Sequence, residues 1–124
     1  MIDNEINNDP QQSAKYFAAK LAFTLGPFEL NQSIHKNDKF NIIDVRHPED
    51  YAKGHIPGAK NLPQNNWDSS FFLDKNKIHV FYCYSQQCHL AAKAAYHFSK
   101  LDYHVMELEG GYKTWVENEF PVEI

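Results

Sequence analysis

The sequence predicts an α/β domain in which helices cover both faces of a central, mostly parallel sheet. Three runs rich in β-branched and aromatic residues, at 40–45, 77–82 and 104–108, are typical of buried strands. Helical patterns alternate with these runs, and such alternation indicates a parallel sheet with helical crossovers. With 124 residues, 43% of them hydrophobic, the chain is long enough to bury one core without disulfide bonds.

The first part of the chain is predicted to form two helices joined by a short extended segment. Asp9 and Pro10 are typical of a helix N-cap and first helical residue, and we expect this helix to end near Ala22. An extended segment at 23–25 and a second helix at 26–34 follow.

The first helix is amphipathic. One of its faces carries apolar residues at helical spacing, namely Ala14, Phe17, Ala18 and Leu21. This face either packs against the rest of the same chain or forms a homodimer contact, and both alternatives stay open. We therefore predict two parts, an N-terminal extension with an amphipathic helix at 1–25 and the α/β domain at 26–124.

Shorter elements complete the predicted domain. They are a helical turn at 47–51, an extended segment at 60–62, a turn of helix at 71–73, a helix at 89–100 and a last helix at 111–118. The alanine-rich helix at 89–100 should turn its apolar residues inward, namely Leu90, Ala91, Ala94, Ala95 and Phe98. It should turn its polar residues outward, namely Lys93, His97 and Lys100.

Cys83 is the strongest candidate for a functional residue. It follows the predicted strand at 77–82, and the residues at 84–88 lead from it to the start of a helix at His89. Backbone N–H groups of such a loop converge and the helix dipole adds partial positive charge, so the loop favours a thiolate and we expect a lowered pKa for Cys83. In an open α/β sheet, ligands bind at the carboxyl ends of the strands, where this loop lies.

The neighbouring residues allow fewer roles. Cys88 is either a resolving thiol for a persulfide or mixed disulfide on Cys83, or a small residue facing the sheet. His89 is expected to be a surface residue of the first helical turn.

Zinc would need four ligands and haem attachment a shorter cysteine spacing, so we expect no metal and no other cofactor. A cysteine phosphatase would need an arginine at the end of the loop, and no arginine follows Arg46.

Three ordered signatures of this chain resemble the rhodanese family. They are the block at 44–63, the six-residue loop at 83–88 that begins with Cys83, and the block at 108–115 followed by 120–122. The resemblance implies a three-layer rhodanese-like fold. It also implies a sulfurtransferase that carries sulfur as a persulfide on Cys83.

The resemblance further implies which residues bind the substrate. Backbone N–H groups would hold the persulfide, and they belong to Tyr84, Ser85, Gln86, Gln87, Cys88 and His89. Arg46 would lie at the rim of the site while mainly tying the amino-terminal block together. Two loop positions depart from the family pattern, because Gln86 stands where glycine is common and Cys88 where arginine is common. Without that arginine, we expect weak binding of thiosulfate.

The resemblance implies a small-molecule sulfur donor and a thiol acceptor as partners, with a protein persulfide as a further candidate. A non-catalytic binding module and a dithiol redox protein using Cys83 and Cys88 are the alternatives. The net charge of −4 argues against nucleic acid or a membrane as partner. The chain has no apolar run of transmembrane length, and its acidic start lacks a signal-peptide pattern, so we expect a cytoplasmic protein.

Overall fold

The computed structural model of the protein describes residues 8–36, 39–69 and 73–124. Its elements follow one another in the order α1 (Pro10–Phe23), β1 (Thr24–Leu25), α2 (Pro27–Ser33), β2 (Phe40–Asp44), α3 (Pro48–Lys53), β3 (Lys60–Asn61), a 3₁₀ helix (Gln64–Ser69), β4 (Ile78–Tyr82), α4 (Leu90–Ser99), β5 (His104–Leu108) and α5 (Gly111–Glu117). The ends of the three long strands lie within one residue of the predicted limits.

The five strands form one parallel sheet in the order β1-β5-β4-β2-β3. This arrangement confirms the predicted α/β class. The central strand, β4, pairs with β2 along its whole length and with β5 on its other side. The carboxyl ends of these three strands therefore meet at one edge of the sheet, and the residues that follow them, Val45, Cys83 and Glu109, lie at that edge.

Alternate residues of the strands serve two hydrophobic cores, one on each face of the sheet. The first core includes Leu30, Ile42, Val80, Tyr82 and Trp115. The second core includes Ile43, Trp67, Phe81, Cys83 and Phe98. Helices α2 and α5 supply residues to the first core and α4 supplies residues to the second, so helices cover both faces as predicted.

Helix α4 packs its alanine face on the sheet. Three of the five residues predicted to face inward are buried and the other two pack partly buried against the same core. The prediction is wrong for His97, which is half-buried rather than outward. Its ring centroid lies 5.3 Å from that of Trp67 and 4.8 Å from that of Phe98.

Trp67 anchors the 3₁₀ helix, which the sequence pattern did not predict. Its indole N–H donates a hydrogen bond of 3.1 Å to the carbonyl oxygen of Leu62, and its ring packs in the second core. The predicted turn of helix at 71–73 lies mostly outside the described residues. Of that turn only Leu73 is described, and it packs against the second core.

Helix α1 lies outside both cores. None of its residues is buried, and Phe17 and Leu21 are 55% and 79% exposed. The alternative in which this apolar face packs against the same chain is therefore wrong. The reason is that α1 leads into β1, an edge strand of two residues, so the helix reaches the sheet only at its margin. The homodimer contact stays a prediction.

His79 is a buried polar residue at the centre of the sheet. Its Nε2 accepts a hydrogen bond of 3.1 Å from the backbone N–H of Asp74. Its Nδ1 lies 3.0 Å from the carbonyl oxygen of His104, so Nδ1 carries the hydrogen and donates it. Burial lowers the pKa of His79 below its ordinary value, because the charged ring would lose its hydration. The neutral ring thus joins β4, β5 and the turn at Asp74.

We predict that the protein loses stability as the pH falls below about 6.5, the pKa of His79 in the unfolded chain. The unfolded state then binds a proton that the folded state resists, so the contribution of His79 is present above that pH and is lost below it. Half-buried Glu107, whose pKa burial raises, acts in the opposite sense. The free energy of unfolding at pH 7.5 and at pH 5.5 should therefore differ less in His79→Gln than in the wild type.

The matched control is His47→Gln, because the side chain of His47 is exposed and lies outside both cores. This control should keep the pH dependence of the wild type. If His79→Gln fails to fold, the wild type still provides a test. NMR of the wild type at pH 5.5 should show that the ring of His79 resists protonation. An unchanged pH dependence in a folded His79→Gln would contradict the prediction.

Candidate active site

Cys83 lies directly after the central strand, and the last helix holds its backbone. Its carbonyl oxygen accepts a hydrogen bond of 2.9 Å from the N–H of Tyr112. The next carbonyl, that of Tyr84, accepts one of 2.8 Å from the N–H of Lys113. The first turn of α5 therefore fixes the start of the loop. At the other end of the loop, the N–H of Cys88 donates to the carbonyl oxygen of Ser85 at 3.1 Å and closes a turn.

Gly111 allows α5 to approach this loop. It is buried, has a φ of +65°, and a Cβ atom there would lie 2.8 Å from the backbone nitrogen of Ser85. The carbonyl oxygen of Cys83 would lie 3.0 Å away. Both the left-handed backbone and the close contact require glycine. The carboxyl-terminal signature thus serves to hold the cysteine loop.

Gln86 ties the loop to the same turn. Its Oε1 accepts a hydrogen bond of 2.6 Å from the N–H of Gly110. This contact joins residues 24 positions apart, and no sequence pattern predicts it. The carbonyl of the Gln86 side chain is therefore committed to the scaffold. What it can offer a ligand is its amide group.

Tyr84 forms a wall beside Cys83. Its hydroxyl donates to Oδ2 of Asp50 at 2.5 Å and lies 3.3 Å from the backbone N–H of His47, which donates to it. The side chain separates a cavity of about 600 Å³ from a smaller one of about 230 Å³. Asp50 is a functional neighbour that sequence reasoning missed, because a carboxylate in a short exposed helix is usually a solvated residue.

The larger cavity lies at the carboxyl edge of β2 and β4, where parallel sheets bind ligands. Its lining combines apolar and amide side chains, namely Val45, Pro48, Pro63, Gln64, Asn65, Asn66 and Leu90, with Arg46, His47 and Tyr84. Cys83 and the loop residues 85–89 are not among the residues that line it. Ser85 is half-buried, while Gln87 and His89 are exposed, His89 directly before α4.

Arg46 is a buried scaffold residue as well as part of the cavity wall. Its guanidinium binds the carboxylate of Asp44 through three hydrogen bonds of 2.7 to 3.1 Å and donates another of 2.7 Å to the carbonyl oxygen of Gly54. It also lies 4.0 Å from the ring centre of Tyr112. The positive charge of Arg46 is therefore paired mainly with the carboxylate of Asp44 and is not directed at a ligand.

The two cysteines differ in accessibility and in the direction in which their pKa is shifted. Cys83 is only 1% exposed, and burial raises the pKa of its thiol, as does a hydrogen bond with the thiol of Cys88. Cys88 is half-buried; burial works against its ionisation. Hydrogen bonds from Cys83, from the N–H of Leu90 and from the N–H of Tyr84 outweigh this and lower its pKa. The expected lowered pKa of Cys83 is therefore wrong. The loop favours a thiolate on Cys88.

The described parts of the chain contain neither a cluster of metal-binding side chains nor a membrane-spanning helix. Within residues 8–36, 39–69 and 73–124, no three side chains of the His, Cys, Asp and Glu types are grouped so that they could hold a metal ion. Over the same ranges, no helix combines the length and the apolar character needed to cross a membrane.

The parallel sheet and the cysteine loop after its central strand define the structural class of this protein. Comparison with known proteins identifies the family. The family model described as Rhodanese-like domain matches residues 27–118. The chain belongs to the rhodanese-like domain family. The resemblance of the three sequence signatures is thereby confirmed.

Individual relatives agree with this assignment. A "Probable molybdopterin-synthase adenylyltransferase" from Porphyra purpurea is 32% identical over 92 residues, which are 70% of this chain and 23% of that protein. The "M-phase inducer phosphatase cdc-25.2" of Caenorhabditis elegans is 32% identical over 126 residues, or 85% of this chain and 26% of that protein. The chain therefore spans about a quarter of the length of these two relatives.

Among solved structures, the BH2092 protein from Bacillus halodurans is similar over nearly the whole chain. It is 33% identical, with a TM-score of 0.84, and the match covers 93% of this chain and 86% of that one.

We predict that Gly111→Ala disturbs the cysteine loop and destabilises the protein more than Gly58→Ala does. Gly58 also has a positive φ, +83°, but no atom lies within 4 Å of a Cβ placed there. Gly58→Ala should therefore cost only the backbone strain, about 1–2 kcal/mol. Gly111→Ala should cost about 1–3 kcal/mol more, because it also overpacks the loop. Urea denaturation measures the free energy of unfolding of both variants. Equal losses of stability would show that the loop moves aside without an energetic cost.

Proposed function

We propose that the protein is a sulfurtransferase in which Cys83 carries sulfane sulfur as a persulfide. The observation that carries this proposal is the position of Cys83. It follows the central strand directly, in a loop fixed by α5, and its neighbour Tyr84 lines a cavity of about 600 Å³. Membership of the rhodanese-like family supports the same reaction class.

The reaction would proceed in two displacements. The Cys83 sulfur, as its thiolate, attacks the outer sulfur of a donor R–S–SH, the donor S–S bond breaks, and R–SH leaves with a proton. An acceptor thiolate then attacks the outer sulfur of the Cys83 persulfide, and Cys83 is released as a thiolate. Burial suits the second step, because it shields the inner sulfur from solvent while the outer sulfur extends away from it.

The raised pKa of Cys83 is compatible with this cycle. The proton that Cys83 loses as it attacks is taken up by the departing sulfur of the donor, which leaves as R–SH. No histidine base is then needed. His89 is exposed at the start of α4, where its side chain makes no capping hydrogen bond.

Phosphoryl transfer, which the names of three relatives suggest, has less support. A cysteine phosphatase stabilises the phosphoryl oxygens with a bidentate arginine. Arg46 is the only arginine of the sequence, and its guanidinium is bound to Asp44 and Gly54. At the loop end, where an arginine would serve, the chain has Cys88.

We predict that Cys83→Ser abolishes sulfur transfer while the melting temperature changes little, because serine has a similar size but is not ionised at neutral pH. The assay follows sulfur passing from an alkyl persulfide to an excess of a second thiol. The wild type should also gain about 32 Da, one sulfur atom, by intact mass, and cyanide should remove it.

This experiment separates the proposed enzyme from a non-catalytic module. Substantial transfer by Cys83→Ser would contradict the role of Cys83. A wild-type chain that never gains sulfur would favour the binding module.

A second prediction concerns the donor. The cavity lining has amide and apolar side chains, and its one cation, Arg46, is paired with Asp44, so the dianion thiosulfate should be used less efficiently than an alkyl persulfide. Asn66→Lys adds a partly exposed charge at the cavity. It should raise kcat/KM for thiosulfate roughly twofold to fivefold, and salt should remove the gain.

The control is Asn66→Gln, which keeps the amide and should leave the donor preference unchanged. Comparable efficiency of the wild type on both donors would mean that another group already supplies the positive charge.

A further inference from the structure

A second cavity, of about 370 Å³, lies at the end of the sheet opposite to the cysteine loop. Phe40, the first residue of β2, and Lys77, which precedes β4, both line it, so it lies at the amino ends of these strands. We call it the amino-edge cavity. It shares no lining residue with the cavity of about 600 Å³ beside Tyr84. The proposed sulfur transfer therefore gives it no role.

One wall of the amino-edge cavity is apolar. Helix α2 and strand β2 contribute aliphatic and aromatic side chains to it and the turn before β3 contributes a proline, namely Leu30, Ile34, Phe40, Ile42 and Pro57. Leu30 and Ile42 are buried members of the first core, so the packing of the fold fixes this wall. A fixed apolar wall favours the hydrocarbon body of a ligand, because apolar surface leaves water when the two meet.

The other side of the amino-edge cavity carries positive charge. Lys60 and Lys77 line it, and no aspartate or glutamate is among the described residues that do so. Within residues 8–36, 39–69 and 73–124, neither lysine forms an ion pair. The chain as a whole has a net charge of −4, so this pair of cations stands out against its surroundings. Two ammonium groups without a carboxylate partner create a positive potential that attracts an anion.

A buried amide holds one of these cations in place. The Nζ of Lys60 donates a hydrogen bond of 3.3 Å to Oδ1 of Asn41, which lines the same cavity and is only 5% exposed. The amide is neutral, so it orients the ammonium group without cancelling its charge. Glu123 reaches the turn before β3, but its Oε1 accepts the N–H of Gly58 at 2.7 Å and lies 3.5 Å from Nε2 of His55. Its charge is therefore not paired with Lys60.

We propose that the amino-edge cavity binds an organic carboxylate with an apolar body, of the aryl-alkanoate type. The hydrocarbon body lies on the wall formed by α2 and β2, and the carboxylate accepts charge-assisted hydrogen bonds from Lys60 and Lys77. An ammonium group has three donors, so Lys60 can bind Asn41 and a carboxylate oxygen together. This binding goes beyond the proposed function, because it needs neither Cys83 nor sulfur chemistry.

The test uses 4-phenylbutyrate as the probe and 4-phenylbutanamide, its neutral counterpart, as the matched ligand. Titration of the full chain by NMR should give saturable shifts in α2 and at the amino ends of β2 and β4, with a Kd of about 1 mM or tighter. The neutral amide should bind at least about fivefold more weakly, because it forms no charge-assisted hydrogen bond. Inorganic phosphate, which has charge but no apolar body, should also bind more weakly than the probe.

Two variants test whether the lysines supply the charge. Lys60→Gln and Lys77→Gln should each raise the Kd of 4-phenylbutyrate about threefold to tenfold, because each removes one incompletely buried cation. The matched control is Lys15→Gln, which makes the same change of charge on α1, where Lys15 is exposed and outside the cavity. This control should keep the wild-type Kd. Cys83→Ser should also keep it, because Cys83 follows the opposite end of β4.

The contrary outcomes are distinct from one another, and each overturns the proposal. The absence of saturable shifts up to about 10 mM probe would show that the cavity does not bind this class of ligand. Shifts centred on the cavity beside Arg46 would place the binding at the cysteine loop. Equal affinity for the neutral amide, or an unchanged Kd in both lysine variants, would remove the role of charge. Phosphate binding as tight as that of the probe would remove the role of the apolar wall.

Discussion

The buried ion pair between Asp44 and Arg46 is the interaction on which the site depends. Asp44 ends β2, and Arg46 links it to the carbonyl of Gly54 and to the ring of Tyr112. Tyr112 in turn holds the carbonyl of Cys83 through its backbone N–H. A buried charge pair costs desolvation, and removing one partner leaves the other uncompensated, at about 3–5 kcal/mol. The amino-terminal and carboxyl-terminal signatures are therefore one physical unit that meets at the cysteine loop.

The fold could be predicted from the sequence because its determinants are local. The strands β2, β4 and β5 are short apolar runs, and α4 has alanines at helical spacing, so periodicity alone located them. The position of α1 could not be predicted in this way. Its apolar face has the same spacing as a core helix, and only the short edge strand beside it explains why that face is exposed. The half-burial of His97 likewise depends on Trp67, which is distant in sequence.

The candidate site, like the fold, could be predicted from the sequence only where its determinants are local. Cys83 and its loop were recognisable because strand, cysteine and helix follow each other directly. The contacts that adjust their chemistry join residues far apart in the chain, as Gln86 with Gly110 and Tyr84 with Asp50 do. The direction of the Cys83 pKa shift was predicted wrongly for a related reason. Helix dipoles and loop amides can be inferred from sequence, but the almost complete burial of Cys83, which raises its pKa, cannot.

The protein has only two tryptophans, and each stands in a different core. Trp115 is fully buried with its indole N–H on the carbonyl of Pro121, under the face that α2 and α5 cover. Trp67 lies on the opposite face, in the 3₁₀ helix that borders the large cavity. Intrinsic fluorescence of the two single-tryptophan forms therefore reports on the two layers separately. Coincident melting of both signals would mark a cooperative unit, and the Trp67 emission alone would sense a molecule entering the cavity.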